Sequence, residues 1–129
     1  MRTRLVVILG LLGIVAAALF GKFYMNSSAQ KQVEGTRKIL EQLAEGIQQY
    51  KLHNYNYPTA EVGLDALFHA PEGVRMWRGP YTDEKFLKDS WGQDIKYKTT
   101  DSYGFQLQSQ GPDGKFDTED DVILSNIPS

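Results

Sequence analysis

From Leu5 to Gly21 the chain reads LVVILGLLGIVAAALFG, without one charged or strongly polar side chain, and no proline occurs before Pro58. A run of this kind leaves little room for anything but a long helix. Arg2 and Arg4 precede it and Lys22 follows it. Read as a membrane anchor, Leu5 to about Met25 is a helix of roughly 20 residues, enough for a hydrocarbon core of about 30 Å. Read as a cleavable signal peptide, Arg2 and Arg4 are the charged start, Leu5–Val15 the apolar middle, and Ala16-Ala17-Ala18 the small-residue cut site. The pattern continues helically past the alanines with no turn residues, so the anchor is the reading taken. Residues 1–25 are then the membrane segment and 26–129 the outward domain. The arginines hold the N-terminus in the cytoplasm.

From Ser28 to about His53, Val33, Thr36, Leu40, Leu43, Ile47 and Tyr50 fall at the alternating three-and-four spacing of one helical face. Glu34, Arg37, Lys38, Glu41, Gln42, Glu45, Gln48 and Gln49 fill the other faces. Such a helix lies on a core along one side and is wetted on the rest. Joined to the anchor, it runs for about fifty residues, half in lipid and half in water. It is predicted to end at HNYNYPT, where Asn54 and Asn56 suit left-handed backbone and Pro58 disfavours helix at Tyr57. Thr59 is a candidate N-cap for a short amphipathic helix carrying Val62, Leu64, Leu67 and Phe68 and stopping at Ala70-Pro71.

Residues 72–93 read as an irregular connection pinned to the core by Trp77, Tyr81, Phe86 and Trp91. Beyond it, Ile95 and Tyr97 alternate with Lys96 and Lys98, and Tyr103, Phe105 and Leu107 alternate with Gln106 and Gln108. These are two half-buried strands of an antiparallel hairpin, and Val122–Asn126 supplies a third. The fold expected is α+β: a long N-terminal helix, its first half membrane-embedded, packed on a small three-stranded antiparallel sheet.

The chemistry available to such a chain is narrow. It has no cysteine, which excludes disulfides, thiolate catalysis and thiolate metal sites. The net charge of −2, with no long basic run, leaves no footprint for nucleic acid. His53 and His69 are the only histidines, each at a predicted helix end, and no HExxH, phosphate-cradling glycine loop or nucleophile elbow occurs. No catalytic residue, organic cofactor or small-molecule substrate is expected.

One stretch stands apart. GPDGKFDTEDDV (111–122) gathers Asp113, Asp117, Glu119, Asp120 and Asp121 around a single Lys115. Calcium takes six to eight oxygens from carboxylates and carbonyls on a loop with a glycine at its bend. Asp113 and Asp117 flank Gly114 and the Lys115 carbonyl at alternate positions, and Asp120 or Asp121 can close the ring. The twelfth-position glutamate and flanking helices of an EF-hand are missing. On spacing alone the stretch is either a calcium site or a solvated acidic turn.

Several pieces together settle on a family. YKLHNYNYPTAEVGLDAL, WRGPY, FLKDSWGQDIKY and SQGPDGKFDTEDDV, in that order between Tyr50 and Val122, resemble the major pseudopilin of bacterial type II secretion systems. The resemblance implies a pilin-like fold and a structural subunit anchored in the bacterial inner membrane by a single pass through residues 5–25, with its domain in the periplasm. It also implies partners among like or related pseudopilins and the membrane proteins of the secretion machine. By resemblance, calcium falls to Asp113, Asp120, Asp121 and the carbonyl of Gln110; Asp117 is added from spacing. The start departs from the family's prepilin pattern, in which a glycine precedes the cut and a glutamate stands five residues into the mature chain. The first acid here is Glu34. The alternative function is therefore a membrane-anchored or secreted domain of the same shape that binds a partner without polymerising.

Overall fold

In the computed structural model the described residues are 2–100 and 103–127, with side chains described at 19 and from 26 onward. The chain divides into two compact units, Met1–Lys31 and Gln32–Ser129. Helix α1, Arg2–Asn54, is unbroken, as the absence of proline before Pro58 allows. The anchor expected at residues 5–25 falls, Leu19 apart, on side chains outside the described set. Among the described residues no helix is long and apolar enough to cross a membrane.

Within the second unit the predicted stripe is the buried one. Thr36, Leu40, Leu43 and Ile47 are fully buried, Tyr50 is nearly so, and Val33 packs at the margin. Each of these apolar side chains contributes about 1.5–3 kcal/mol by leaving water. Facing them are three strands in the order β1-β2-β3: β1 Lys96–Thr99, β2 Phe105–Ser109 and β3 Val122–Ser125, all antiparallel. Tyr97 stands opposite Leu107, and Leu107 opposite Leu124, so one row of side chains crosses the sheet toward the helix. Leu107 is buried in the middle of that row, and Phe105, opposite Thr99 and two residues away along β2, is buried beside it. Tyr103, expected to extend the alternation, is exposed before the strand begins.

Two local expectations change. The helix ends on Tyr55, which takes the left-handed conformation (φ 67°) and donates its N–H to the Lys51 carbonyl at 2.7 Å. Asn54 instead turns its amide back to the Tyr50 carbonyl at 2.9 Å, a side-chain cap that leaves the left-handed position to its neighbour. The second helix is a five-residue 3₁₀ helix, Gly63–Leu67, because Gly63 sits at φ 57° and cannot belong to an α-helix begun at Thr59. Leu64, Leu67 and Phe68 are still buried, so the apolar pattern was met by a tighter turn.

The 72–93 connection is anchored as expected by Trp77, Tyr81 and Phe86, which pack on the core cluster, while Trp91 is half-buried outside it. Tyr81 is the hub. Its ring meets Tyr50 and Trp77 edge-on at 5.7 Å, its N–H donates to the Leu67 carbonyl, and its hydroxyl accepts from the Arg78 N–H and the Asn54 amide. Gly46 permits this crossing, since an added Cβ would come within 3.3 Å of Thr82 and the Tyr81 carbonyl. Tyr81→Phe keeps the ring and strands those donors; a loss of about 1–2 kcal/mol in denaturant unfolding is expected.

Candidate metal site

The acidic stretch leaves β2 at Ser109 and returns at Val122, at the end of the sheet. Its first turn is a short 3₁₀ helix, Gly111–Asp113, closed by Gly114 in the left-handed conformation. Gly111 is itself left-handed (φ 66°) and lies against the backbone of Asp120, so the two limbs of the loop touch where only a glycine fits. Phe116 is half-buried beneath the Lys96 ammonium, 4.9 Å from its ring centre.

The loop's foot is tied to the preceding connection by a buried carboxylate. Asp89 Oδ1 accepts the N–H groups of Trp91 and Gln93, each at 2.9 Å, and Oδ2 accepts the Ser109 hydroxyl at 2.6 Å. Ser109 Oγ in turn accepts the Gly111 N–H. The Asp-x-Trp-Gly turn and the acidic loop are therefore one hydrogen-bonded unit, a link that reading each stretch separately did not supply.

The five expected metal residues are not gathered equally. Asp117 and Asp121 come together: Gln108 Nε2 donates to Asp117 Oδ1 at 3.1 Å and also to Asp121 Oδ2, while the Asp117 N–H donates to Asp121 Oδ2 at 2.7 Å. Thr118 Oγ donates to Asp121 Oδ1 at 3.2 Å. Asp113 is drawn away to accept the Lys115 N–H at 2.9 Å. The Asp120 side chain is exposed and borders, with Arg37, Pro112 and Glu119, a groove beside α1. Gln110 is half-buried, as the residue that precedes the 3₁₀ turn. Among the described residues no group of three or more histidine, aspartate and glutamate side chains is placed to hold a metal.

Desolvation pushes the Asp121 carboxyl upward, but the hydrogen bonds from Gln108, the Asp117 N–H and Thr118 outweigh it and hold its pKa below the ordinary value. Asp121 is therefore charged at neutral pH and aimed inward. Beside it, Gln108 is only 2% exposed, and its Oε1 is buried with no hydrogen-bond partner. Strand alternation marks Gln108 as outward-facing; the returning loop covers it, which no period-two pattern reveals. The donor set is all oxygen, as a hard divalent cation requires, and two carboxylates with an unpartnered buried amide oxygen beside them fit calcium in chemistry. The histidines lie elsewhere: His69 pairs with Asp65 at the surface and His53 meets the Tyr81 hydroxyl.

A family model described as type II secretion system (T2SS), protein G, matches residues 23–126. The chain belongs to the type II secretion protein G family. Relatives include the type II secretion system core protein G of Escherichia coli K12, 29% identical over 92% of this chain and 84% of that protein. That of Aeromonas hydrophila is 31% identical over 96% of this chain and 89% of its own length. Among solved structures, the major pseudopilin from the type 2 secretion system of enterohaemorrhagic Escherichia coli superposes with a TM-score of 0.64 at 29% identity, over 79% of this chain and 91% of that one. Family and fold bear out the long helix on a three-stranded antiparallel sheet. They also place this family member among structural components of a secretion machine and outside the enzymes.

Proposed function

We propose that this chain is a calcium-stabilised structural subunit of a type II secretion filament. Residues 5–25 anchor it in the bacterial inner membrane, the N-terminus is cytoplasmic, and the packed unit stands in the periplasm. Its partners are like or related pseudopilin subunits and the membrane proteins of the same machine. The observation that carries the reading is the protein G family match across residues 23–126, nearly all of the packed unit.

Support for calcium is separate. Asp117 and Asp121 converge at the sheet end, with Gln108 beside them, and Asp113, Asp120 and the Gln110 carbonyl lie on the same loop. Like charges this close repel, and a divalent cation would remove the repulsion while tying both limbs of the loop together. The ion would have no catalytic duty there.

The test of assembly uses cells whose own protein G has been deleted but which keep the rest of such a machine. With the full chain supplied, amine cross-linking of intact cells is expected to give a ladder of multimers and restored secretion. A stable, membrane-bound monomer that gives neither would overturn the reading.

A second reading, a domain of the same shape that binds a partner without polymerising, is favoured by one observation: the apolar run Leu5–Gly21 carries no acidic side chain. Mass spectrometry of the protein from cells separates the two. A methylated, shortened N-terminus favours the filament subunit, and an intact Met1 or a cut after Ala18 favours the second reading.

A further inference from the structure

Gln108 is the one buried polar side chain at the acidic loop whose hydrogen-bonding capacity is left half used. Its Nε2 serves two carboxylates at once, and its Oε1 has no partner although the residue is 2% exposed. An unpartnered buried acceptor is costly, and native proteins rarely keep one without a use. A half-turn of the amide about its last bond exchanges nitrogen and oxygen with almost no change of shape. That turn would leave Nε2 unpartnered where Oε1 now is, so burial alone favours neither orientation strongly. What lies between Asp117 and Asp121 decides the matter. With nothing between them, two negative carboxylates call for a donor, and Nε2 faces them. With a divalent cation between them, a donor is repelled and an oxygen is attracted.

We infer that Gln108 is a ligand of the loop's cation site and its placeholder: the amide nitrogen bridges Asp117 and Asp121 when the site lacks a cation, and the amide turns to present Oε1 when a divalent cation is bound. This rests on the calcium reading above and adds to it a ligand from the sheet, outside the acidic stretch itself. Strand β2 holds Gln108 in register between Lys96 and Ile123, so the amide is delivered from a rigid element while Asp117 and Asp121 come from the loop. The arrangement also explains how two charged carboxylates are held together without a cation, where a plain acidic turn would spread them.

The test titrates calcium chloride by calorimetry into the purified full chain, Gln108→Met and Gln108→Glu, and melts each in chelator. Gln108→Met keeps the length of the side chain and removes both polar atoms. It is expected to weaken calcium binding tenfold or more and to lower the melting temperature in chelator. Gln108→Glu puts a third carboxylate at the site; it is expected to melt lowest of the three in chelator and to bind calcium tenfold or more tighter than wild type, because added ligand charge raises affinity. A purely structural glutamine would lower the melting temperatures and leave calcium affinity unchanged in both variants, and that result overturns the inference. A wild-type chain that takes up no calcium overturns the calcium reading itself, and the inference with it. Should a variant fail to fold, the wild type alone suffices. In ¹⁵N spectra the Gln108 side-chain NH₂ pair is expected to be protected from exchange in chelator and to shift and lose that protection on adding calcium; an unmoved pair during saturable binding contradicts the turn.

Discussion

Replacing Asp89 by alanine is expected to destabilise the packed unit by about 3–5 kcal/mol, measured by denaturant unfolding. The carboxylate is 5% exposed and is the acceptor for two backbone N–H groups and the Ser109 hydroxyl. Truncation leaves three donors without a partner in a site from which water is excluded. Each such loss costs on the order of 1–3 kcal/mol. For a domain near 100 residues the melting temperature should fall by more than about 10 °C. Asp89→Asn separates charge from connectivity. An amide oxygen can still accept from Trp91 and Gln93, and its nitrogen can donate to Ser109 Oγ, so a loss nearer 1 kcal/mol is expected. Equal losses from both variants would show that the charge matters more than the three contacts. Because Ser109 also accepts the Gly111 N–H, Asp89→Ala should weaken calcium binding at a distance from any ligand.

Gly111→Ala is expected to be nearly as damaging, at about 2–5 kcal/mol. Left-handed backbone costs a residue with a Cβ about 1–2 kcal/mol. An added Cβ would also drive into the carbonyl of Asp120, and relieving such overpacking typically costs about 1–3 kcal/mol. The relief must move the Asp120 backbone and with it Asp121, whose carboxylate accepts from the Gln108 amide. The variant should therefore lose its response to calcium together with its stability. Gly114→Ala is the control. It shares the left-handed conformation (φ 68°) but has open space where the Cβ would lie, so only the backbone strain should be felt. If the two variants melt alike, the contact between the loop's limbs is not what holds them.

How much of this was legible in the sequence depends on whether a residue's neighbours are local. The stripe Thr36, Leu40, Leu43, Ile47 and Tyr50 is set by helical periodicity, and the strands around Tyr97, Phe105 and Leu107 by alternation. Both survive into the structure because a core needs only one apolar face from each element. Details governed by single backbone angles were not legible. Gly63 at φ 57° turns an expected α-helix into a 3₁₀ turn, and Tyr55 takes the left-handed position that asparagine favours by composition. The acidic loop was visible as a charge cluster, yet its internal division was not. Asp113 spends its carboxylate on the Lys115 N–H, while Asp117 and Asp121 meet at a glutamine that strand parity assigns to solvent. Gln108 and Asp89 are connected to the loop only through tertiary contacts, and no local pattern announces such a role.

The most direct measurement of the proposed calcium staple is a pair of thermal melts on the purified full chain, one at calcium a hundredfold above its dissociation constant and one with excess chelator. Binding confined to the folded state adds about 2.7 kcal/mol at that excess. For a domain of this size that corresponds to roughly 10–20 °C. The expected result is a melting temperature that falls by this much on chelation, recovers when calcium is restored, and no longer responds in Asp121→Ala. Superimposable melts with and without chelator would contradict the site.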